Sequence, residues 1–275
     1  MDALSGDDFR PLRRERAPRA RLTSLARVHD RLYIKALLRG MPDEVFARID
    51  SDTVVSPGSG EAALRAAGAV IRAVDLVMTG EAANAFCAVR PPGHHADVGR
   101  AMGFCLFNSV AVGAMQARAV HGIRRVGIID FDVHHGNGTE AIFRDDPDVF
   151  YGSTHQAMFY PGTGKADFAG HIVNRPLDSG SDGAVFRPAF SEILDALERF
   201  GPELILISAG FDAHRDDPMA QMRLEESDFA WATEQICGVA ARCAGGRVVS
   251  SLEGGYDLGA LGRSVRVHVQ ALMSA

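Results

Sequence analysis

The sequence predicts an α/β protein built on a single doubly wound, mostly parallel β-sheet with helices on both faces. Segments with strand and helix character alternate along the whole chain, which is typical of a parallel sheet whose strands are joined by helices. Residues 204–208 (Leu-Ile-Leu-Ile-Ser) form an apolar run without alternation, as expected for a strand covered on both faces. We expect one domain over residues 1–275.

Hydrophobic spacing and capping residues predict the individual elements. Thr23 or Ser24 is the expected cap of a first helix that runs to about residue 38. Ser59 is the expected cap of a second helix, in which apolar residues recur at helical spacing up to residue 77. Further helices are predicted over 108–120, 186–200, 229–243 and 258–273, and strands over 86–89, 125–130, 149–153, 204–208 and 247–252.

Composition and charge argue against several classes of function. The chain has 275 residues, 47% of them hydrophobic, and its formal net charge of -6 argues against a nucleic-acid partner. Four cysteines without CxxC spacing predict free thiols in a reducing cytoplasm rather than a cysteine-based zinc site. We find no signal-peptide or transmembrane pattern and expect no membrane partner.

The most informative segment is an apolar strand that stops abruptly in two acids and two imidazoles, at residues 126–138. Alternate residues of a strand point to one face, so Asp130, Asp132 and His134 share one side at the strand end. Carboxylates and an imidazole placed in this way can hold a divalent cation.

Four polar clusters follow directly after four predicted strands, at residues 90–95, 130–137, 208–217 and 253–256. The strands of a parallel sheet bring their carboxyl ends to one edge, and α/β proteins bind their ligands there. We therefore expect these clusters to form one site.

The residue types in these clusters predict the chemistry. Asp132 and His134 supply two metal ligands and Asp212 the third, a mixed oxygen and nitrogen set that suits zinc and also iron(II) or cobalt. Such a set leaves positions open for water and substrate.

Further residues of the clusters supply acid–base and electrophilic groups. His94 and His95 can accept and return a proton near neutral pH, and Asp130 and Asn137 could orient them. Tyr256 can donate a hydrogen bond to a developing oxyanion. Together with the predicted metal ligands, these groups predict a metal-dependent amidohydrolase.

Six motifs resemble the histone deacetylase and acetylpolyamine amidohydrolase family, in its bacterial, class II-like branch. They occur in the family's order over nearly the whole chain. The resemblance implies an arginase-like α/β fold and the use of zinc, sometimes iron(II), to remove acetyl groups from amines. The motifs are RPPGHHA at 90–96, GFCLFN at 103–108, IDFDVHHGNG at 129–138, YPGTG at 160–164, SAGFDAH at 208–214 and LEGGY at 252–256.

The resemblance also implies a role for individual residues. The metal ligands would be Asp132, His134 and Asp212, the general base and acid His95 with His94 as its electrostatic partner, and the carbonyl-polarising group Tyr256. Phe104 and Tyr160 would enclose the aliphatic stem of acetyl-lysine, and Gly254 would line the same tunnel. A structural potassium ion would be held, largely through backbone oxygens, by Asp130, Asp132, His134, Ser153 and Thr154.

Several positions refine this expectation. Asn137, where class I enzymes carry Asp, and Glu253 indicate the class II branch. Met219 stands where a Glu is associated with polyamine selectivity, which weakens an acetylpolyamine substrate. Family members normally begin with a strand and a His-Pro-Glu-Arg-Pro-type segment, so we expect an N-terminal strand to be missing.

Alternative functions remain open at this point. The same chemistry would serve another small acyl amide or ester, or an acetylpolyamine. A non-catalytic acetyl-lysine binding protein is an alternative of a different class. An arginase-type ureohydrolase would need a second metal ligand where Gly136 stands. The expected partner is an acetylated amine, as a peptide or small molecule, and a homo-oligomer is left open.

Overall fold

The computed structural model of the chain describes residues 2–275. Two 3-10 turns (Asp2–Leu4 and Asp7–Phe9) precede the main elements. The helices of this part of the chain are α1 (Leu22–Leu25), α2 (Arg31–Arg39), α3 (Ser59–Met78), α4 (Ser109–His121), α5 (Asn137–Phe143), α6 (Gly183–Phe200), α7 (Glu226–Cys243) and α8 (Leu258–Met273). The strands are β1 (Ala47–Arg48), β2 (Val54–Val55), β3 (Asn84–Cys87), β4 (Val126–Asp130), β5 (Val149–Gln156), β6 (Ile172–Leu177), β7 (Leu204–Ala209) and β8 (Val248–Leu252).

The main sheet has the order β3-β8-β7-β4-β5-β6, and every pair in it is parallel. The prediction of a doubly wound parallel sheet is thus confirmed. β1 and β2 form a separate antiparallel ribbon. Within residues 2–275, none of the helices combines the length and apolar character needed to cross a membrane.

A hydrophobic core lies on each face of the sheet. On one face α6, α7 and α8 pack around Phe131, whose ring lies 5.8 Å from that of Phe211 and 6.0 Å from that of Phe229. On the other face α3 and α4 contribute Val70 and Val110. Because both faces are covered, β4 and β7 are buried at every position, which explains why neither carries a polar side chain before Asp130 and Ser208 near their carboxyl ends.

The predicted N-terminal helix is two separate helices, α1 and α2, and the prediction of Thr23 or Ser24 as its cap was wrong. The chain breaks between α1 and α2 because the Asp30 side chain accepts hydrogen bonds from the N–H groups of Leu32 and Tyr33 and starts a new helix. Thr23 and Ser24 lie inside α1. The predicted cap Ser59 is the first residue of α3, where its hydroxyl accepts the N–H of Ser56.

The sheet order explains where the polar clusters meet. β3, β8, β7 and β4 are consecutive neighbours in the sheet, and each is followed by one of the four clusters. Parallel strands end at the same edge, so the clusters after all four strands come together there.

Candidate active site

Three side chains from two adjacent strand ends converge at this edge. Asp132 and His134 follow β4, and Asp212 follows its neighbour β7. One ligand atom from each lies within 4.8 Å of the others, and all three residues are buried. His134 Nδ1 lies 3.0 Å from Asp132 Oδ1 and 3.2 Å from Asp212 Oδ2. The structure therefore brings together the three residues that were predicted as metal ligands.

The local surroundings fit a divalent cation. Asp212 Oδ1 accepts the N–H of Val133 at 2.9 Å, whereas its Oδ2 is buried without a hydrogen-bond partner among residues 2–275. Gly254 donates its N–H to Asp132 Oδ2 at 2.8 Å. A Cβ at Gly254 would lie 2.1 Å from Asp212 Oδ2, so only a glycine leaves this space free. Two carboxylates, one of them with a buried oxygen that lacks a hydrogen-bond partner, and an imidazole are a suitable donor set for a divalent metal ion.

The electrostatics of the three groups show an excess of negative charge. Burial, followed by the charge of Asp132, raises the pKa of Asp212 to about 6. Burial opposes the charging of His134, but the two carboxylates beside it raise its pKa to about 10. Positive charge at the centre of this cluster is therefore strongly favoured.

The tandem histidines are oriented by different partners. His94 Nδ1 lies 3.0 Å from Asp130 Oδ2, and His95 Nδ1 lies 2.8 Å from Asn137 Oδ1. Burial disfavours a charge on His94, but Asp130 and Asp132 outweigh it and hold the pKa of His94 well above its usual range. Burial and the adjacent His94 hold the pKa of His95 well below its usual range. One imidazole is thus suited to carry a positive charge and the other to act as a neutral base.

Two further buried side chains, Glu253 and Tyr151, fix the tandem histidines and their partner Asp130. Glu253 is buried and accepts the N–H groups of Gly93 at 2.5 Å and His94 at 3.2 Å. Burial raises the pKa of Glu253 to about 7, although the neighbouring His94 opposes the shift. The hydroxyl of Tyr151 donates to Asp130 Oδ2 at 3.1 Å. Buried polar contacts therefore fix the segment that carries His94 and His95.

A cavity of about 200 Å³ leads to these groups, with aromatic side chains in its wall. Phe159 stacks on His134 with ring centres 5.5 Å apart, and Tyr160 meets His95 edge-on at 5.2 Å. The cavity is lined by the predicted residues Phe104, Tyr160 and Met219, together with Tyr256 and both tandem histidines. Such a wall suits an extended aliphatic chain.

Tyr256 lies beside a cation and an aromatic ring. The guanidinium of Arg90 lies 5.2 Å from the centre of the Tyr256 ring and donates to the carbonyl of Gly255 at 2.5 Å. The ring of Phe104 lies edge-on at 5.8 Å. Burial and the charges of Asp212 and Asp132 raise the pKa of Tyr256, so its hydroxyl keeps its proton.

The residues of the predicted potassium site are close neighbours in the sheet. Asp130 at the end of β4 is paired with Ser153 of β5, and Thr154 follows it. All three are buried, as is the segment that contains Asp132 and His134. This monovalent cation site stays a prediction.

Sequence reasoning missed two residues at the site and gave no role to a third, Asp217. Asp52 lines the cavity and accepts the N–H of Gly103 at 3.1 Å, yet it comes from the distant β1–β2 ribbon. Phe159 directly precedes a recognised motif, and its aromatic character was an available signal. Asp217 closes the third polar cluster and contacts the backbone of Tyr256.

The parallel sheet and the donor set at its carboxyl edge place the chain among proteins of the arginase/deacetylase fold. Residues 2–272 match the sequence profile of the histone deacetylase domain. A crystal structure of the HDA15 HD domain superposes with a TM-score of 0.92 at 34% identity, over 99% of this chain and 79% of that one. The chain therefore belongs to the histone deacetylase family.

A plant, a bacterial and a human protein are each similar to this chain in sequence. The rice (Oryza sativa subsp. japonica) protein named Histone deacetylase 10, chloroplastic, is 42% identical over 95% of this chain and 61% of its own length. The Histone deacetylase-like amidohydrolase of Pseudomonas aeruginosa is 42% identical over 88% of this chain and 65% of its own. The human Polyamine deacetylase HDAC10 is 41% identical over 79% of this chain and 34% of its own. The chain thus spans less than two thirds of the length of these relatives.

Proposed function

We propose that this protein is a zinc-dependent amidohydrolase that removes acetyl groups from acetylated amines, acetyl-lysine or a similar amine. The observation that carries the proposal is the convergence of Asp132, His134 and Asp212 beside His95 and Tyr256. Metal ligands, a base and a hydroxyl donor around one cavity are the parts that amide hydrolysis requires.

The ligand set favours zinc, with iron(II) as the alternative. Asp132, His134 and Asp212 would hold the ion, and a mixed set of carboxylates and imidazole suits either metal. When bound, such an ion lowers the pKa of water and polarises the carbonyl group of an amide. A potassium ion near Asp130 and Ser153 would have a structural role.

His95 would act as the general base and then the general acid. Its Nδ1 donates to Asn137 Oδ1, which leaves Nε2 free to accept a proton. The low pKa of His95 keeps it neutral at pH 7, so it can take the proton of the attacking water. The proton then goes to the nitrogen of the departing amine. His94, charged beside Asp130, stabilises the negative charge that develops nearby.

Tyr256 would donate a hydrogen bond to the acetyl oxygen as it becomes negative. Its raised pKa keeps the hydroxyl protonated, and it lines the same cavity as His95. Phe104, Phe159 and Tyr160 would pack along the aliphatic chain of the substrate. The apolar Met219 in the same wall favours acetyl-lysine over an acetylpolyamine.

The experiment is a metal analysis combined with a fluorogenic acetyl-lysine assay on the wild type and three variants. We expect about one zinc per chain, no activity and no zinc in Asp212→Ala, and a kcat lower by about 100- to 1000-fold in Tyr256→Phe. Tyr33→Phe is the matched control and should keep full activity, because Tyr33 does not line the cavity and its hydroxyl donates to the backbone carbonyl of Leu106.

Other results would point elsewhere. Binding of an acetyl-lysine peptide without turnover by the zinc-loaded and iron-loaded protein would support a non-catalytic reader instead. Faster turnover of an N-acetylated polyamine than of the acetyl-lysine peptide would reassign the substrate. A protein that binds no divalent metal would contradict the proposal as a whole.

A further inference from the structure

One buried carboxylate, that of Asp217, joins two separate walls of the cavity. Its Oδ2 accepts the backbone N–H groups of Tyr256 at 2.6 Å and Asp257 at 3.1 Å. Its Oδ1 accepts the N–H of Met219 at 3.0 Å. Asp217 is itself anchored, because its N–H donates to the carbonyl of His214 at 2.9 Å. We propose that Asp217 is a positioning residue that holds Tyr256 in place for the reaction; this inference rests on the proposed function.

Tyr256 needs such an anchor because its side chain is not enclosed by a packed core. It follows Gly255, whose φ of 130° lies in a region that other residues rarely adopt. Tyr256 is only half-buried, and its ring contact Phe104 is 36% exposed. The main chain, rather than a packed core, therefore has to fix the direction of the hydroxyl.

Only a carboxylate satisfies all three N–H groups at once. Both of its oxygens accept hydrogen bonds, whereas an amide would turn an NH₂ group toward at least one of the donors. The negative charge of Asp217 also lies next to the first residues of α8, where the helix dipole favours it. The choice of an acid at this position is thus explained by its backbone contacts.

The test is a set of double-mutant cycles on the zinc-loaded full chain. Asp217→Asn should lower kcat by about 10- to 100-fold, because a displacement near 1 Å has effects of this size. In the Tyr256→Phe background the same substitution should change kcat by less than about twofold, since the hydroxyl it positions is gone. In the Met219→Ala background Asp217→Asn should still lower kcat by about 10- to 100-fold. The effect would then depend on Tyr256 and not on Met219.

Two further variants separate positioning from a general loss of structure. Asp217→Glu, which keeps both acceptor oxygens, should recover part of the kcat lost in Asp217→Asn. Asp257→Asn is the matched control, because the Asp257 side chain caps α8 through the N–H of Ala260 at 2.7 Å and should leave kcat unchanged. An equal loss of kcat from Asp217→Asn in the wild-type and Tyr256→Phe backgrounds would overturn the proposal.

A readout without turnover keeps this inference separate from the proposed function. The chain has four tyrosines, so 3-fluorotyrosine labelling gives four ¹⁹F resonances, and the one missing in Tyr256→Phe belongs to Tyr256. Asp217→Asn should shift or broaden that resonance and leave the other three unchanged. If the wild type is inactive on acetylated amines, the proposed function fails while this shift still supports positioning. An unchanged Tyr256 resonance overturns the positioning role in either case.

Discussion

Gly254 lies where any side chain would meet both carboxylates of the ligand set. A Cβ there would lie 2.1 Å from Asp212 Oδ2 and 2.6 Å from Asp132 Oδ2, both far inside van der Waals contact. Its N–H also fixes Asp132 Oδ2. The residue therefore shapes the metal site without being a ligand, in the way that outer contacts tune metal affinity.

This geometry predicts that Gly254→Ala weakens zinc binding by about 10- to 100-fold, the usual range for loss of an outer contact. The methyl group must push at least one carboxylate away from the position it needs. Isothermal titration with zinc measures the effect. Gly58→Ala is the control, because a Cβ at Gly58 has nothing within 4 Å. Equal zinc affinities in the two variants would show that the ligand carboxylates adapt freely.

Buried carboxylates that clamp backbone N–H groups recur around the site. Glu253 holds Gly93 and His94, and Asp217 holds Tyr256 and Met219. Each of these two carboxyl groups connects a segment of the candidate site to a strand end or loop that is distant in sequence. Residues that never touch substrate thus set the positions of those that would.

At the scale of elements, the loop between β5 and β6 is tied to the segment after β4 by one hydrogen bond. Thr163 Oγ1 lies 2.7 Å from His135 Nδ1, and the same loop carries Phe159 and Tyr160 into the cavity wall. The loop residues would contact the substrate chain and not its reacting atoms.

Loss of this bond is therefore expected to affect substrate binding more than chemistry. Thr163→Val should raise KM for an acetyl-lysine peptide about fivefold, which corresponds to the ~1 kcal/mol of one hydrogen bond. The value of kcat should stay close to that of the wild type. Steady-state kinetics measure both constants, with the remote Thr79→Val as the control. A fall in kcat at constant KM would contradict this assignment.

A second element-scale contact connects α7, α8 and β8 through one histidine. His268 of α8 lies 2.7 Å from Thr233 Oγ1 through Nδ1 and 2.8 Å from Ser250 Oγ through Nε2. The side chain is fully buried, and burial lowers its pKa to about 3. A histidine in the unfolded chain titrates near 6.5, so the unfolded state takes up the proton first.

The free energy of unfolding should therefore fall as the pH decreases below about 6.5, until the folded pKa is reached. For His268 alone the loss between pH 6.5 and pH 5 is roughly 1 to 2 kcal/mol. Urea unfolding in a chelator at both pH values measures it. His268→Gln should lose that part of the pH dependence, while Thr233→Val, which keeps the histidine, should retain it. The same pH dependence in His268→Gln as in the wild type would refute the assignment.

The same elements show what sequence reasoning can and cannot predict. α8 was predicted over 258–273 and is found over Leu258–Met273, because an Asp cap and an apolar stripe mark it clearly. β6 was missed, since Asn174, Arg175 and Pro176 interrupt its apolar pattern at the edge of the sheet. α5 was missed because it is short and begins with an Asn-Gly pair that is typical of a turn.

Site residues at strand ends could be predicted from the sequence, whereas those in loops could not. Asp132, His134 and Asp212 each follow an apolar run, so their position in the fold could be inferred from the sequence alone. Asp52 lines the cavity from a distant turn, and Asp217 contacts the backbone of the cavity residues Met219 and Tyr256; a single sequence carries no periodic signal for either.

At the scale of the whole molecule, the ligand set lies at the ends of two central strands and couples the site to global stability. β4 and β7 are neighbours in the middle of the sheet, and each carries part of the set. Asp212 is buried next to Asp132, and His134 compensates the two carboxylate charges only in part, so ionised Asp212 destabilises the metal-free fold. A cation removes that cost and adds its own binding energy.

This coupling predicts opposite effects of one substitution in the two metal states. Asp212→Asn keeps an oxygen for the N–H of Val133 and removes the buried charge, so without metal it should be more stable than the wild type at pH 7. With zinc at about 1000 times its Kd the wild type should gain about 4 kcal/mol, while the variant, which lacks a ligand, gains little. Urea unfolding with chelator and with zinc measures both states. The wild type should be the less stable protein in chelator and the more stable one with zinc, because the same charge binds the metal and destabilises the metal-free protein. If the variant is the less stable protein in chelator, Asp212 is held by contacts other than its charge.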